Sequence, residues 1–244
     1  MDPWLWGLVA AIAGYLIGSV SFARLTMRLA APGRSVGEVR REVEGSTEDF
    51  EAHKVSATAI RDQLGARFGC LTAMLDASKA AIVALAFLAA FPDQPYYLVA
   101  AAGAIVGHIL PLYHRFRGGG GLSTIYGAFL VVDWGGVVAT TITALALGIA
   151  AGRVLVIRWS GIVLMIPWLW WRTGDPWVVG FAVVANVLFW TALVPELRQV
   201  ARFRSRGTPP DERAVAELLG MGSFWDRVSP YSIPSLLERN RGTG

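Results

Sequence analysis

Seven apolar runs separated by polar connections constrain this sequence more than any other feature. Of its 244 residues 54% are hydrophobic and only 16% are charged, whereas about a quarter of a soluble domain is normally charged. Inside a bilayer every backbone polar group needs an internal partner, so such runs form helices. The sequence therefore predicts an all-α integral membrane protein with about seven transmembrane helices, at residues 4–27, 69–90, 96–112, 122–132, 137–151, 159–171 and 177–194.

Basic residues fall on alternate connections between the predicted helices. One set of turns, at 91–95, 133–136 and 172–176, holds only Arg172, whereas nearly all the basic residues lie in the connections at 32–68, 113–120, 152–158 and 196–244. Because basic connections are retained in the cytoplasm, this pattern predicts an external N-terminus and a cytoplasmic C-terminus. Cytoplasmic retention and contact with anionic lipid headgroups explain the net charge of +4. We therefore expect no nucleic-acid partner.

The residues after 195 form a polar tail, so we expect two units, a membrane domain at 1–195 and a cytoplasmic tail at 196–244. The tail begins with a basic cluster that suits lipid headgroups, Arg198, Arg202, Arg204 and Arg206. A short helix is predicted over residues 211–219, after two prolines. Six later residues are too apolar for a solvated tail and indicate either a segment lying on membrane lipids or one docked on a protein partner: Phe224, Trp225, Tyr231, Ile233, Leu236 and Leu237.

Four consecutive glycines at 118–121 stand between the third and fourth apolar runs, after His114, Arg115 and Arg117. Glycine leaves backbone N–H groups uncovered and permits positive φ, so the run can form a nest of donors for a phosphate. The start of the following helix adds its positive dipole end. A flexible loop at the membrane edge is the alternative interpretation of the glycines alone.

The longer pattern around these glycines resembles a signature of the acyl-phosphate:glycerol-3-phosphate acyltransferases, the PlsY family. That signature reads approximately G-H-I-F-P-x-x-x-x-F-K-G-G-K-G-V-A-T. Arg117 conservatively replaces its first lysine, and Gly120 stands in place of its second. The identical positions are Gly107, His108, Pro111, Phe116, Gly118, Gly119, Gly121 and Thr124.

The resemblance covers about residues 10–206 and implies a PlsY-like helical bundle in the bacterial inner membrane. It implies transfer of an acyl group from acyl phosphate to glycerol 3-phosphate or a related phosphorylated acceptor, a step of phospholipid synthesis. The implied partners are these two substrates and membrane lipids, with no metal and no other cofactor. Because both substrates carry phosphate, cations and backbone donors are the groups such a site needs.

Other signatures of the family are only partly present. The first loop falls on residues 52–62, where Ala57 and Thr58 are identical, and Asp62 occupies the arginine position beside Arg61. The third signature falls on residues 193–200 without its histidine or asparagine. No catalytic residue is assigned, and the candidate phosphate ligands are Lys54, Thr58, Arg61, Arg117, Gly118, Gly119, Gly120, Gly121 and Ser160.

Two charged residues lie within the second apolar run. Asp76 and Lys79 are three apart, so they share one helix face and can form an ion pair. Charges at this depth are costly unless paired, so the pair is expected to face the bundle interior. His108 is interpreted as a hydrogen-bonded residue at a helix end, and all three are expected to be structural.

Three functional hypotheses remain open on the sequence alone. The first is a divergent acyltransferase whose anion site is rebuilt from the cations of the two loops. The second is a non-catalytic relative that binds lipid or serves as an assembly subunit of a membrane complex. The third is a small transporter, which has little support because there is no run of intramembrane carboxylates and no clear inverted repeat.

Overall fold

The computed structural model describes residues 3–37, 39–41, 50–52, 55–207, 211–219 and 221–241. Six stretches in this part of the chain are long and apolar enough to cross a membrane. The α-helices are α1 Pro3–Gly18, α2 Phe22–Ala30, α3 Ala57–Leu64, α4 Ala66–Ala90, α5 Tyr96–Ile109, α6 Leu122–Ala151, α7 Val154–Thr173, α8 Pro176–Ser205, α9 Glu212–Leu218, α10 Gly222–Val228 and α11 Ile233–Arg241. Two short 3-10 helices cover Leu112–His114 and Ser229–Tyr231.

The all-α integral membrane prediction is confirmed for the apolar part of the chain. A small antiparallel pair, β1 Val39–Arg41 and β2 Phe50–Ala52, adds a feature that the apolar pattern did not predict. The connection before the second span carries a short helix, α3, and Gly65, which adopts φ +93°, separates this helix from α4. The second membrane helix therefore begins at Ala66, three residues earlier than predicted.

The first predicted span is interrupted near its C-terminal end. Ser21 has an extended backbone, and its hydroxyl accepts the N–H of Arg24 as the N-cap of α2. Ser19 donates its hydroxyl to the carbonyl of Tyr15 at 2.8 Å and accepts the N–H of Leu112 at 3.2 Å. The hydrogen bonds of Ser19 and Ser21 end α1 and start α2, so the first span is broken at residues 19–21 and is not one continuous helix over 4–27.

The fourth and fifth predicted spans form a single helical segment, α6, that folds back at Asp133. Asp133 is non-helical, with φ −159° and ψ 92°. Tyr126 and Thr141 would lie about 22 Å apart along a straight helix, yet their side chains are close enough to interact. A Cβ built on Gly161 would lie 2.5 Å from the Tyr126 hydroxyl and 3.8 Å from the Ala144 Cβ. The two arms of α6 therefore lie side by side, and the predicted 133–136 turn narrows to one residue.

The last two predicted spans are longer than the sequence indicated. The sixth, expected over 159–171, is α7 and begins at Val154. The seventh, expected over 177–194, is α8 and continues through Pro195 to Ser205. Thirty residues span about 45 Å, which exceeds the roughly 30 Å apolar thickness of a bilayer, so α8 extends beyond it. The expected domain boundary between 195 and 196 thus lies within a helix.

Close helix packing in the bundle relies on small residues. Gly14 and Gly18 of α1 lie against the backbone of Ala100 and Ala104 on α5, and a Cβ at either glycine would overlap it. Since Gly14 faces Ala100 and Gly18 faces Ala104, α1 and α5 run parallel. Their C-terminal ends, and the glycine run that follows α5, are therefore at the same end of the molecule.

The predicted helix in the tail is confirmed as α9, but the tail does not extend away from the membrane domain. Trp225 is buried, together with Ala216 and Val154 of α7. The two alternatives for the apolar tail residues, lipid surface or partner, thus missed an intramolecular contact. Four of those residues remain exposed on α11 and just before it, namely Tyr231, Ile233, Leu236 and Leu237.

Candidate functional site

The loops that precede α3 and α6 are joined at one end of the bundle. The N–H of Val55 donates to the carbonyl of Gly118 at 3.3 Å. Arg24 of α2 donates from Nη2 to the carbonyl of Arg117 at 2.9 Å. These hydrogen bonds bring the starts of α3 and α6 together, as the resemblance of both loops to signature motifs implied.

The first glycines of the run pack closely against His108 and do not form an open nest of donors. The N–H of Gly119 donates to the carbonyl of His108 at 3.1 Å and so is already used. A Cβ at Gly118 would overlap that carbonyl, and one at Gly119 would overlap Nε2 of the same histidine. Of the four glycines only Gly121 has positive φ, at +81°. The expected cradle of four free donors is therefore contradicted at Gly119, whose N–H is already used within the loop.

The second half of the run leads directly into α6. Gly121 is the N-cap residue, and no side chain in the described part of the chain caps this helix. The first N–H groups of a helix have no intrahelical partners and carry the positive end of its dipole. An anion can be accommodated at this point, one turn before Tyr126.

Two arginines converge beside these helix starts. Arg158, in the second turn of α7, donates from Nη2 to the Thr58 hydroxyl at 3.5 Å. Arg61, one turn beyond Thr58 on α3, and Tyr126 of α6 are both close enough to interact electrostatically with Arg158. Among the described residues no carboxylate forms an ion pair with either arginine. Two like charges held together in this way favour an anionic ligand between them.

The other predicted ligands are placed less favourably or lie outside the described residues. Lys54 lies outside them. Arg117 is exposed, and it contributes its carbonyl to the contact with Arg24. Ser160 donates its hydroxyl to the Val156 carbonyl at 2.6 Å, and it lies on roughly the opposite side of α7 from Arg158. The described part of the cluster therefore consists of Thr58, Arg61, Arg158 and Tyr126.

The three residues predicted to be structural form a buried group behind the glycine run. Lys79 Nζ lies 3.0 Å from Asp76 Oδ1, 2.9 Å from His108 Nδ1 and 2.8 Å from the carbonyl of Val20. Asp76 and His108 line a narrow, partly open crevice with Gly118 and Gly119. The amine is thus held by three partners, and it fixes the middle of α4 and the C-terminal end of α5 against the break between α1 and α2.

Arg158 is the residue that sequence reasoning missed. In the sequence it was interpreted only as a basic residue of the loop before the sixth span. Because α7 begins at Val154, Arg158 is helical and four residues from the helix start. The signal available in the sequence was a single arginine followed by an apolar run, which is equally typical of a membrane-edge anchor.

A family model described as glycerol-3-phosphate acyltransferase matches residues 8–201 of this chain. A glycerol-3-phosphate acyltransferase of Maricaulis maris is 36% identical over 151 residues, which cover 62% of this chain and 63% of that protein. The Synechococcus sp. (strain JA-3-3Ab) enzyme of the same name is 31% identical over 178 residues, covering 72% of this chain and 80% of its relative.

The fold is also similar to that of a solved structure. The crystal structure of PlsY (YgiH), an integral membrane glycerol 3-phosphate acyltransferase in its glycerol 3-phosphate form, matches with a TM-score of 0.66 and 22% sequence identity. The match covers 81% of this chain and 93% of PlsY. At this identity the similarity concerns the fold. Residues 211–241 lie beyond the region matched by the family model.

Proposed function

Because this chain belongs to the glycerol-3-phosphate acyltransferase family, we propose that it transfers an acyl group from acyl phosphate to the 1-hydroxyl of glycerol 3-phosphate. The hydroxyl oxygen bonds to the acyl carbon, and the bond from that carbon to the phosphate oxygen breaks. Inorganic phosphate leaves with the hydroxyl proton, and lysophosphatidic acid is the lipid product. The protein is a multi-pass protein of the bacterial inner membrane.

The convergence of Arg61 and Arg158 on Thr58 is the observation that carries this proposal. A phosphate between the two guanidinium groups would accept charge-assisted hydrogen bonds from both, and the threonine hydroxyl would add a further donor. Each charge-assisted bond contributes roughly 1.5–3 kcal/mol. We assign the phosphate of the acceptor to this position.

The start of α6 suits the second anion, the phosphate of the acyl donor. Its N–H groups follow Gly120 and Gly121 and have no side-chain cap in the described residues. Preorganised N–H donors of this kind stabilise charge that develops on oxygen during acyl transfer. Arg117 lies in the same loop, and Lys54 is retained as a candidate in the neighbouring one.

Arg158 also accounts for the principal departure from the signature. Gly120 stands in place of a lysine of the resembling motif, so that cation is missing from the glycine loop. Arg158 reaches the same end of the bundle from α7 and supplies a cation there. A rebuilt anion site is therefore consistent with the sequence differences that otherwise argue against activity.

The test is acyl transfer by the purified full chain, with labelled acyl phosphate and glycerol 3-phosphate. Arg158→Gln is expected to raise the KM for glycerol 3-phosphate roughly ten- to a hundred-fold, as removal of one charge-assisted contact implies. Arg172→Gln, at the opposite end of α7, is the matched control and should leave KM unchanged. Gly120→Lys should retain or raise turnover. Absence of transfer by the wild-type protein above background would reject the proposal.

A second candidate is a non-catalytic relative that binds lipid or assembles with a protein partner. The exposed side chains of Tyr231, Ile233, Leu236 and Leu237 in the tail favour it, since such a patch suits an interface. The acyl-transfer assay separates the two, because a subunit of this kind has no turnover and should retain a copurifying protein after gentle solubilisation.

We also propose that the arginine cluster faces the cytoplasm, with the N-terminus outside and the C-terminus inside. Support comes from the positive-inside bias and from Arg24, Arg61 and Arg158 lying at one end of the bundle. Impermeant thiol labelling of single cysteines, introduced at positions 93 and 115 of a variant in which the native Cys70 is replaced by serine, tests this orientation. Position 93 should be labelled from outside the cell and position 115 only after permeabilisation.

A further inference from the structure

The tail is fixed to the start of α7 by a carboxylate. Glu212, the first residue of α9, accepts the N–H of Val154 on Oε2 at 2.9 Å. Its Oε1 lies 2.9 Å from Nη1 of Arg153. The sequence of α7 supplies no side-chain cap of its own, because its N-cap position is Arg153. A carboxylate from α9 therefore takes the place of the missing cap and complements the helix dipole.

An apolar contact next to this carboxylate holds the tail in place. Val154 and Ala216 are fully buried, Trp225 is nearly so, and Ile157 packs against them. On the other side of the α6–α7 turn, Ser232 lies against Gly152, where a Cβ would come within 3.3 Å of the serine Cβ. The tail thus encloses the turn and the first turn of α7 from two sides.

The arginine of the proposed phosphate site lies in the next turn of the same helix. Arg158 is four residues after Val154, so both lie on one face of α7. Ile157, the residue before Arg158, packs beneath the tail, and its backbone N lies against Gly148. The direction in which Arg158 leaves α7 therefore depends on how this first turn is held.

We propose that Glu212 is a positioning residue for the phosphate site, acting through the first turn of α7 on Arg158. The inference rests on the proposed function, since it concerns the same anion site. The tail, which lies beyond the family match ending at residue 201, is then a part of this chain that orders its substrate site. Glu212 has no contact with substrate in this scheme and is not a catalytic residue.

The experiment measures binding and turnover separately in the full-length protein in detergent. Calorimetric titration with glycerol 3-phosphate gives the Kd without acyl donor, and acyl transfer gives kcat and KM. Glu212→Ala is expected to raise Kd and KM about five- to ten-fold, as loss of a helix cap and of the order it imposes implies, while kcat changes less than about two-fold. Glu212→Asp, which keeps the carboxylate, should recover part of the affinity.

Glu217→Ala is the matched control in the same helix. Its carboxylate is half-exposed and lies 3.8 Å from Nε of Arg213 on its own helix, so wild-type values are expected. Normal Kd and KM in Glu212→Ala would overturn the inference and leave the acyltransferase proposal intact. A fall in kcat at unchanged Kd would also overturn it, because that result indicates a role other than positioning the phosphate ligand. Absence of both binding and turnover in the wild-type protein would overturn both proposals.

Discussion

Removal of the Asp133 side chain should open the bend of α6 and destabilise the bundle by about 2–3 kcal/mol. Oδ1 of Asp133 accepts the N–H of Gly136 at 2.9 Å and so caps the second arm of the helix. Oδ2 accepts Nε1 of Trp168 at 3.0 Å and lies 2.7 Å from Nε of Arg172. One buried carboxylate thus holds both the helix reversal and the end of α7.

The magnitude follows from these three contacts taken separately. Loss of an N-cap costs about 1 kcal/mol. The hydrogen bond from Trp168 contributes about 1 kcal/mol. The pair with Arg172 adds between about 0 and 1 kcal/mol, because that side chain is 57% exposed and its charge is screened by solvent. Asp133→Asn keeps the cap and loses the second carboxylate oxygen, so it should be about 1 kcal/mol more stable than Asp133→Ala.

Unfolding in mixed micelles with increasing dodecyl sulfate, followed by far-ultraviolet circular dichroism, measures these differences. Asp93→Ala, at an exposed position in the turn between α4 and α5, is the control and should stay within about 0.5 kcal/mol of wild type. If Asp133→Ala is equally mild, or if the asparagine variant is no more stable than the alanine variant, the assignment of Asp133 as the cap of the reversal is incorrect.

Three further outcomes are expected, the first two in the same unfolding assay and the third in limited proteolysis. Gly107→Ala should destabilise the protein by about 1–3 kcal/mol, because the new Cβ overlaps a backbone carbonyl of α1. Asp76→Leu leaves the buried amine of Lys79 without its carboxylate and should cost about 3–5 kcal/mol, whereas Asp76→Leu with Lys79→Met should cost less. Trp225→Ala removes the main apolar contact of the tail, so trypsin should cleave residues 211–241 about ten-fold faster.

Matched variants separate these effects from general damage to the fold. Gly180→Ala introduces a Cβ with no atom within 4 Å and should be silent. Trp177→Ala removes a tryptophan that is 65% exposed and should leave tail cleavage unchanged. Equal stability of Gly107→Ala and Gly180→Ala would contradict the close packing of α1 on α5. If the double variant Asp76→Leu with Lys79→Met is no more stable than Asp76→Leu alone, the lost ion pair is not the origin of the destabilisation.

Much of this protein was determined by the sequence because the bilayer leaves few choices. Long apolar runs with bunched charges must become helices, and the paired spacing of Asp76 and Lys79 predicts the ion pair seen at 3.0 Å. The sequence singled out Gly118 and Gly119 as candidate phosphate ligands. The structure adds a packing reason for both glycines, because they lie too close to His108 for any side chain.

The features that depend on contacts between distant segments are determined only by the tertiary structure. The reversal of the chain at Asp133 depends on contacts with Trp168 and Arg172, which are 35 and 39 residues away. No local sequence pattern indicates these contacts. Arg158 joins Thr58 across 100 residues, so its pairing depends on where α7 begins and which way it faces. Glu212 caps that helix from beyond the region shared with the family. Hydropathy and local propensity set the helices, whereas the site arises from long-range packing that brings their ends together.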